Sequence, residues 1–169
     1  IDTLLAAWET LGGKVPLKIS GTGPLRPMVE TAAAKDPSIE YLGFAPDQAL
    51  DGLIGNARAL IFTSGTYEAQ PMVILQSYAK GTPVIAGRFG SMADLVEDGV
   101  TGWHFSPGDP ADLARVASAA FAPTLDLTPF RERARDKYLR EFTAGPNHDR
   151  MIEIYENTIK RRENEQESR

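Results

Sequence analysis

A chain of 169 residues with 42% hydrophobic and 24% charged residues has the size and composition of one ordinary globular domain. Its formal net charge of -5, without a cluster of Lys and Arg, argues against nucleic acid or an anionic membrane surface as the main partner. The lack of cysteine excludes disulfides, thiolate metal sites and thiol catalysis, and it favours a cytoplasmic location. No apolar run approaches the roughly 20 residues of a membrane-spanning helix, and no metal-ligand pattern is visible.

Short apolar runs alternate with helical patterns over the first two thirds of the chain. The expected strands cover residues 15–20, 39–42, 59–63, 83–86 and 101–105. The expected helices lie before Gly12, over residues 25–35 with Pro24 in the first turn, from residue 46, over 71–80 and over 92–96. This alternation predicts an α/β fold with a parallel, doubly wound sheet.

Beyond Pro107 the pattern is helical throughout. Asp109 is expected to cap one helix, and two more are expected over residues 129–142 and about 148–162. The last of these helices has one apolar stripe and a charged opposite face. The stripe consists of Met151, Ile152, Tyr155 and Ile159. Residues 161–169 are charged or polar, so they are expected to fray or to be disordered.

Two loops follow expected strands, at the edge where open parallel sheets bind ligands. One is Gly21-Thr22-Gly23-Pro24, and the other covers residues 64–73. The glycines of the first loop allow a close backbone approach, but Arg26 stands where the dinucleotide fingerprint requires its third glycine. On its residues alone, this loop is better interpreted as a tight turn between a strand and a helix.

The second loop combines a carboxylate with a helix N-terminus. Glu68 precedes a helix that begins at Pro71, and the free amides of Met72 and Val73 would attract a phosphate. A carboxylate at this place cannot help to bind phosphate, but it can bind neutral hydroxyls. Gln76 follows Glu68 by eight residues and could hydrogen-bond a diol. The pattern therefore indicates a diphosphate flanked by a sugar and a ribose.

These residues resemble the signature of a known family. The run Glu68-Ala69-Gln70-Pro71-Met72-Val73-Ile74-Leu75-Gln76, followed by Gly81-Thr82-Pro83-Val84-Ile85-Ala86, is similar to the signature of the retaining GT-B glycosyltransferases of the group 1, or family 4, type. That signature is Glu, seven residues, Glu and then Gly-x-Pro-Val-Ile-Ala. Residues 17–24 resemble the family's strand-Gly-x-Gly-Pro turn, 39–44 its Val-x-Phe-Leu-Gly-Phe segment, and 90–102 its Gly-Gly-x-x-Glu-Val-Val and Asp-Gly-x-x-Gly turns. The resemblance covers about residues 1–121.

The resemblance implies a Rossmann-like domain, the C-terminal domain of a GT-B fold, that binds a nucleoside diphosphate sugar as substrate without a cofactor. Glu68 is then the candidate catalytic residue and contacts the sugar hydroxyls. The candidate residues for the donor sugar and diphosphate are Glu68, Ala69, Gln70, Pro71, Met72 and Val73. Those that lie against the base are Gly21, Gly23, Tyr41, Leu42 and Gly43.

One residue of the signature departs from the family pattern. The second Glu of the signature holds the ribose hydroxyls, and this chain has Gln76 there. Glutamine keeps donor and acceptor capacity but loses the charge-assisted hydrogen bond. We therefore expect ribose binding at Gln76 with weaker or altered affinity for the donor.

The resemblance also implies that this chain is half of an enzyme, inactive by itself. Residues 1–121 would form the nucleotide-sugar-binding domain, and 122–169 a helical extension whose last helix packs on the N-terminal domain. In the family a central strand, followed by an Arg and a Lys that neutralise the diphosphate, precedes the first helix, and this sequence starts after that point. A gap in the sheet is therefore expected. The expected partners are the donor and the missing N-terminal acceptor domain, and any peripheral association with a membrane is expected only through that domain.

Two other functions compete with glycosyl transfer. A catalytically inactive module that binds sugar nucleotides fits the substitution at Gln76. A nucleotide-sugar epimerase would need a Tyr-x-x-x-Lys pair, but Tyr67 and Tyr78 are followed at that spacing by Pro71 and Thr82. The leading hypothesis is retaining glycosyl transfer from a nucleoside diphosphate sugar to an acceptor hydroxyl.

Overall fold

The computed structural model describes residues 1–167 and alternates helices with strands over most of this range. The strands are β1 (Leu17–Ser20), β2 (Ile39–Gly43), β3 (Leu60–Phe62), β4 (Val84–Gly87) and β5 (Gly102–Phe105). The helices are α1 (Asp2–Leu11), α2 (Arg26–Lys35), α3 (Asp47–Asn56), α4 (Met72–Ala79), α5 (Met92–Leu95), α6 (Pro110–Ala120), α7 (Thr128–Glu141) and α8 (Ala144–Glu167). The predicted order of elements is confirmed, with boundaries that differ by a few residues.

The strands form two parallel sheets instead of one. Strand β1 pairs with β2, from Leu17 opposite Ile39. The second sheet has the order β3-β4-β5, so neither β1 nor β2 pairs with β3, β4 or β5 in the described residues. All three residues of β3 are apolar yet only half-buried, which fits an open edge. The expected gap in the sheet is therefore present.

Strand β4 is buried on both faces, and its alternating side chains enter two different clusters. Ile85 belongs to the first cluster, together with residues from α1, α6 and the neighbouring strands. Val84 and Ala86 belong to the second, together with residues from α4 and α7. Because successive side chains of a strand point to opposite faces, one helix layer covers each face. The doubly wound α/β fold predicted from the sequence is confirmed.

The first cluster is closed by helix α1. Trp8 is 1% exposed, and its indole Nε1 donates a 2.7 Å hydrogen bond to the carbonyl of Val15. This bond satisfies the one polar atom of a large apolar side chain. The turn between them needs Gly12 and Gly13, whose φ angles of 57° and 79° lie in the left-handed region.

Two details of the predicted helices are corrected. Pro24 was expected in the first turn of α2, but the helix begins at Arg26 and Pro27 occupies its first turn. The last helix is longer than predicted, since it starts at Ala144 and its backbone is helical to Glu167, beyond Arg161 where fraying was expected. Ser168 and Arg169 lie outside the described residues. The predicted cap at Asp109 is confirmed, because its side chain accepts hydrogen bonds from the amides of residues 111 and 112.

Helix α8 carries its apolar stripe unburied. The predicted stripe residues Met151, Ile152, Tyr155 and Ile159 are all exposed, as is Ile154. Helix α8 is thus not part of the core that α1, α4, α6 and α7 form around the strands. None of the helices in residues 1–167 combines the length and the apolar character needed to cross a membrane.

Substitution of Gly102 provides a test of the close packing between β4 and β5. A Cβ at this position would lie 1.9 Å from the carbonyl oxygen of Val84 on the neighbouring strand. We expect Gly102→Ala to lower the free energy of unfolding by about 3 kcal/mol, because backbone atoms of β4 must move to relieve the overlap. Urea denaturation of the two proteins measures the difference.

The matched control is Gly52→Ala within α3, where a Cβ meets no atom within 4 Å. That substitution should stabilise the protein by about 0.5–1 kcal/mol, since glycine is unfavourable inside a helix. A Gly102→Ala protein as stable as the unchanged chain would show that β4 and β5 are not packed as described.

Candidate functional site

Helix α4 presents a free N-terminus after strand β3. Pro71 is its N-cap residue, and within residues 1–167 no side chain accepts a hydrogen bond from the first amides of the helix. The amide of Ile74 bonds the carbonyl of Pro71 at 3.0 Å, whereas Met72 and Val73 precede that first bond. Free amides at the positive end of a helix dipole favour an anion. The amides of Met72 and Val73, which were predicted to attract a phosphate, therefore lie at a helix N-terminus in the structure.

Glu68 lies in the irregular segment of residues 64–71, which we call the 64–71 loop. The residue is half-buried. The hydroxyl of Ser64 donates to its carboxylate Oε1 at 3.2 Å, and the hydroxyl of Ser91 donates to its main-chain carbonyl at 2.5 Å. Neither Lys nor Arg forms an ion pair with this carboxylate within the described residues. One carboxylate oxygen thus has a fixed partner, and the group keeps further capacity to accept hydrogen bonds from hydroxyls.

Gln76 lies on the exposed side of α4. Met72 and Gln76 are four residues apart and both are exposed, so they share one face of the helix. The opposite side is buried through Ile74, Ser77 and Tyr78. The amide of Gln76 therefore projects to solvent one turn behind the free N-terminus.

A chain of hydrogen bonds fixes the buried side of α4. The Tyr78 hydroxyl lies 3.1 Å from the carbonyl of Leu95 and 2.9 Å from the hydroxyl of Thr101, which in turn accepts from the amide of Glu97 at 3.0 Å. Since a carbonyl can only accept, Tyr78 donates to Leu95 and Thr101 donates to Tyr78. Burial raises the pKa of Tyr78, so its hydroxyl stays protonated and keeps this role.

Helix α7 reinforces the same support. Lys137 is 5% exposed and pairs with Glu97 at 2.5 Å. Its α7 neighbour Ala134 packs in the cluster that contains Ile74 and Tyr78. The helix that carries the free N-terminus is thus held from behind by both polar and apolar contacts.

The residues predicted near the base form a separate group where β1 and β2 end. The Tyr41 hydroxyl donates to the carbonyl of Gly21 at 2.8 Å, and the amide of Gly21 donates to the carbonyl of Gly43 at 2.7 Å. Gly21 and Gly43 have φ angles of 132° and 64°, which only glycine adopts readily. Gly23 lies in the exposed turn after Gly21, and Leu42 precedes Gly43 within β2. The structure therefore connects the turn after β1 to the end of β2 by hydrogen bonds.

The two groups are not connected to each other by hydrogen bonds or ion pairs in the described residues. Glu68, Gln76 and the α4 N-terminus belong to the β3-β4-β5 side, whereas Tyr41 and the glycines belong to the β1-β2 side. The interruption between the two sheets separates them. A ligand that touches both groups would have to bridge this gap.

Several residues around Glu68 were not singled out from the sequence. Ser64 and Ser91 hold it, and the ring of Tyr67 lies 4.2 Å from the ring of Phe89 between centroids. Ser91 stands where the resembling motif has its second glycine, and this substitution was the one available signal. No group of three or more His, Asp or Glu side chains within the described residues is placed to hold a metal ion.

Comparison with known proteins identifies the family. The family model described as glycosyl transferases group 1 matches residues 1–122. The amylovoran biosynthesis glycosyltransferase AmsK of Erwinia amylovora is 26% identical over 153 residues, which are 86% of this chain and 38% of AmsK. A GDP-mannose-dependent alpha-(1-6)-phosphatidylinositol dimannoside mannosyltransferase of Mycobacterium tuberculosis is 33% identical over 136 residues, 80% of this chain and 33% of that protein.

The fold is also that of solved glycosyltransferases. The crystal structure of HepE from Anabaena in complex with UDP superimposes with a TM-score of 0.78 at 20% identity, over 92% of this chain and 44% of that one. HepE has also been solved in complex with UDP-glucose. The chain spans less than half the length of each of these relatives. With its Rossmann-like α/β architecture and a family match over residues 1–122, the chain belongs to the group 1 glycosyl transferases and has the fold of a GT-B C-terminal domain.

Proposed function

We propose that this chain is the donor-binding half of a retaining glycosyltransferase, which transfers a sugar from a nucleoside diphosphate sugar to an acceptor hydroxyl. The observation that carries the proposal is the free N-terminus of α4 beside Glu68. Backbone donors suit the diphosphate, and a carboxylate suits the neutral hydroxyls of the sugar. Glu68 precedes the first residue of α4, Met72, by four positions, so one donor could meet both.

Each predicted residue receives a role in this proposal. The backbone from Gln70 to Val73 binds the diphosphate, with Ala69 and Pro71 shaping the approach to it. Glu68 binds the sugar hydroxyls and is the candidate catalytic residue. Gln76 binds the ribose hydroxyls from the exposed face of α4.

The base is proposed to lie against the loops that follow β1 and β2. The hydroxyl of Tyr41 is engaged with Gly21, so its contribution is to hold that turn. The base contacts are therefore assigned to the backbone of Gly21, Gly23, Leu42 and Gly43 and to the ring of Tyr41. The donor would then bridge the gap in the sheet.

Residues 1–121 are assigned as the nucleotide-sugar-binding domain and 122–169 as a helical extension. HepE binds UDP in a chain of which this one covers 44%. The acceptor site and the cations that neutralise the diphosphate are assigned to the N-terminal domain, so the isolated chain would bind the donor without transferring its sugar. No cofactor takes part in the proposed reaction.

One observation favours an alternative. Gln76 replaces the second Glu of the family signature, which would suit a catalytically inactive module that binds sugar nucleotides. Retention of Glu68 supports catalysis instead. Assays of sugar transfer by the full-length protein decide between the two.

The first prediction about this site concerns nucleotide binding by the chain itself. We expect UDP or GDP to shift the amide resonances of Tyr41, Glu68 and Gln76, because the diphosphate and base would contact these three places. Titration with each nucleotide, followed by ¹H-¹⁵N NMR, measures the effect. Shifts confined to α7 and α8 would contradict the assignment of the site.

The second prediction concerns the ribose. In the full-length protein, we expect Gln76→Ala to raise the KM for the donor by roughly tenfold, about the effect of one lost hydrogen bond between neutral groups. Gln76→Glu should lower the KM, since a carboxylate forms a stronger bond with the hydroxyls. Steady-state kinetics with varied donor concentration measure both changes.

Gln48 supplies the matched control, since it is an exposed glutamine on the neighbouring helix α3. Gln48→Ala should leave the KM unchanged. If Gln76→Ala also leaves it unchanged, the ribose is held elsewhere.

The third prediction concerns helix α8. Its exposed apolar stripe is proposed to pack on the N-terminal domain, so removal of residues 146–169 should leave the α/β core folded and weaken association with that domain. Thermal melts of the truncated chain, with and without a separately expressed N-terminal half, test both parts. Unfolding of the truncated core would instead place α8 among the elements that stabilise this domain.

A further inference from the structure

The 64–71 loop has few connections to the rest of the fold. Between Thr63 and Gln70, no backbone amide or carbonyl forms a backbone hydrogen bond to another segment of the described chain. Ser64 bonds within the loop, to Thr66 and to the carboxylate of Glu68. The position of Glu68 therefore depends on side-chain contacts from outside the loop.

Those outside contacts come from one short turn, residues 88–91. The Ser91 hydroxyl donates to the main-chain carbonyl of Glu68 at 2.5 Å. The ring of Phe89 lies 4.2 Å from the exposed ring of Tyr67. Gly90 has a φ of 53°, and a Cβ there would lie 3.0 Å from the Tyr67 ring, so the absence of a side chain permits this approach.

The bond from Ser91 is not the one expected from its place in the sequence. Ser91 is the N-cap residue of α5, where a serine hydroxyl commonly accepts a hydrogen bond from the helix amides. Here it makes no such cap and points to Glu68 instead. Its other neighbour is the sulfur of Met92 at 3.6 Å, a much weaker acceptor than a carbonyl. The hydroxyl of Ser91 therefore donates its one proton to the 64–71 loop, at the carbonyl of Glu68.

We propose that Ser91 is a positioning residue for Glu68, and that with the Tyr67–Phe89 ring contact it clamps the 64–71 loop onto the 88–91 turn. The inference rests on the proposed function insofar as Glu68 binds the sugar of the donor. Because its hydroxyl proton is donated to the carbonyl of Glu68, Ser91 is assigned no contact with sugar or diphosphate. It fixes the backbone of Glu68, while Ser64 orients the carboxylate.

The first experiment needs no ligand. Backbone ¹⁵N order parameters of residues 66–70 should fall in Ser91→Ala from about 0.85, typical of rigid backbone, to below about 0.6. Ser91→Thr, which keeps the hydroxyl, should restore them. The control Ser118→Ala, at an exposed position on α6, should have no effect. Unchanged order parameters in Ser91→Ala would overturn the clamp, whatever the protein binds.

The second experiment tests the consequence for the sugar, with the full-length protein and two pairs of probes: UDP with UDP-glucose, and GDP with GDP-mannose. Ser91→Ala should weaken binding of the sugar nucleotide that the unchanged protein recognises by roughly tenfold. Affinity for the matching nucleoside diphosphate should fall less than that, because it lacks the sugar that Glu68 contacts and because Met72 and Val73, at the start of α4, lie outside the loosened segment. A general structural defect would weaken both ligands equally, and that result would overturn the positioning role.

A double substitution separates the two residues. In a Glu68→Gln protein, Ser91→Ala should cause little further loss of sugar-nucleotide affinity, because residues that act through one another are not additive. Full additivity would show that Ser91 acts independently of Glu68. If the unchanged protein binds none of the four probes, the proposed donor site fails, while the order parameters still decide the role of Ser91.

Discussion

Burial of strand β4 on both faces is the constraint on which the rest of the structure depends. Ile85 faces the cluster closed by α1 and α6, and its neighbours Val84 and Ala86 face the cluster formed with α4 and α7. A strand in this position leaves no room for a polar side chain, and Gly102 on β5 is needed where the backbones come closest. The two helix layers thus pack on opposite faces of one four-residue strand. Helix α4, whose N-terminus is part of the candidate site, belongs to the second layer.

Helix α4 is held firmly along its buried side, but its N-terminal end is left without a cap. Its side is fixed by Tyr78 and, through Glu97, by the buried cation of Lys137. Its N-terminus has no side-chain cap within residues 1–167, although a cap would stabilise the helix by roughly 1 kcal/mol. The packing behind the helix offsets this omission and leaves the amides available to a ligand.

Sequence reasoning located the elements and the candidate site, because both depend on local patterns. The alternation of apolar runs gave the five strands, and Asp109 marked the start of α6. The first turn of α2 was misplaced, since Pro24 and Pro27 are both compatible with a helix start and only the turn geometry chooses between them. The bond from Ser91 to Glu68 joins residues 23 apart in sequence. No local pattern predicts such a contact, and the serine in place of a motif glycine was not singled out.

The described strands form two separate sheets, and the outer strands of each have an edge whose amides and carbonyls lack a strand partner in the described residues. In β3, all three apolar side chains are also only half-buried. An open, apolar edge is a template for pairing with another chain. The outer edge of β3 is therefore the place where we expect the chain, when it is expressed alone, to pair with a second copy of itself.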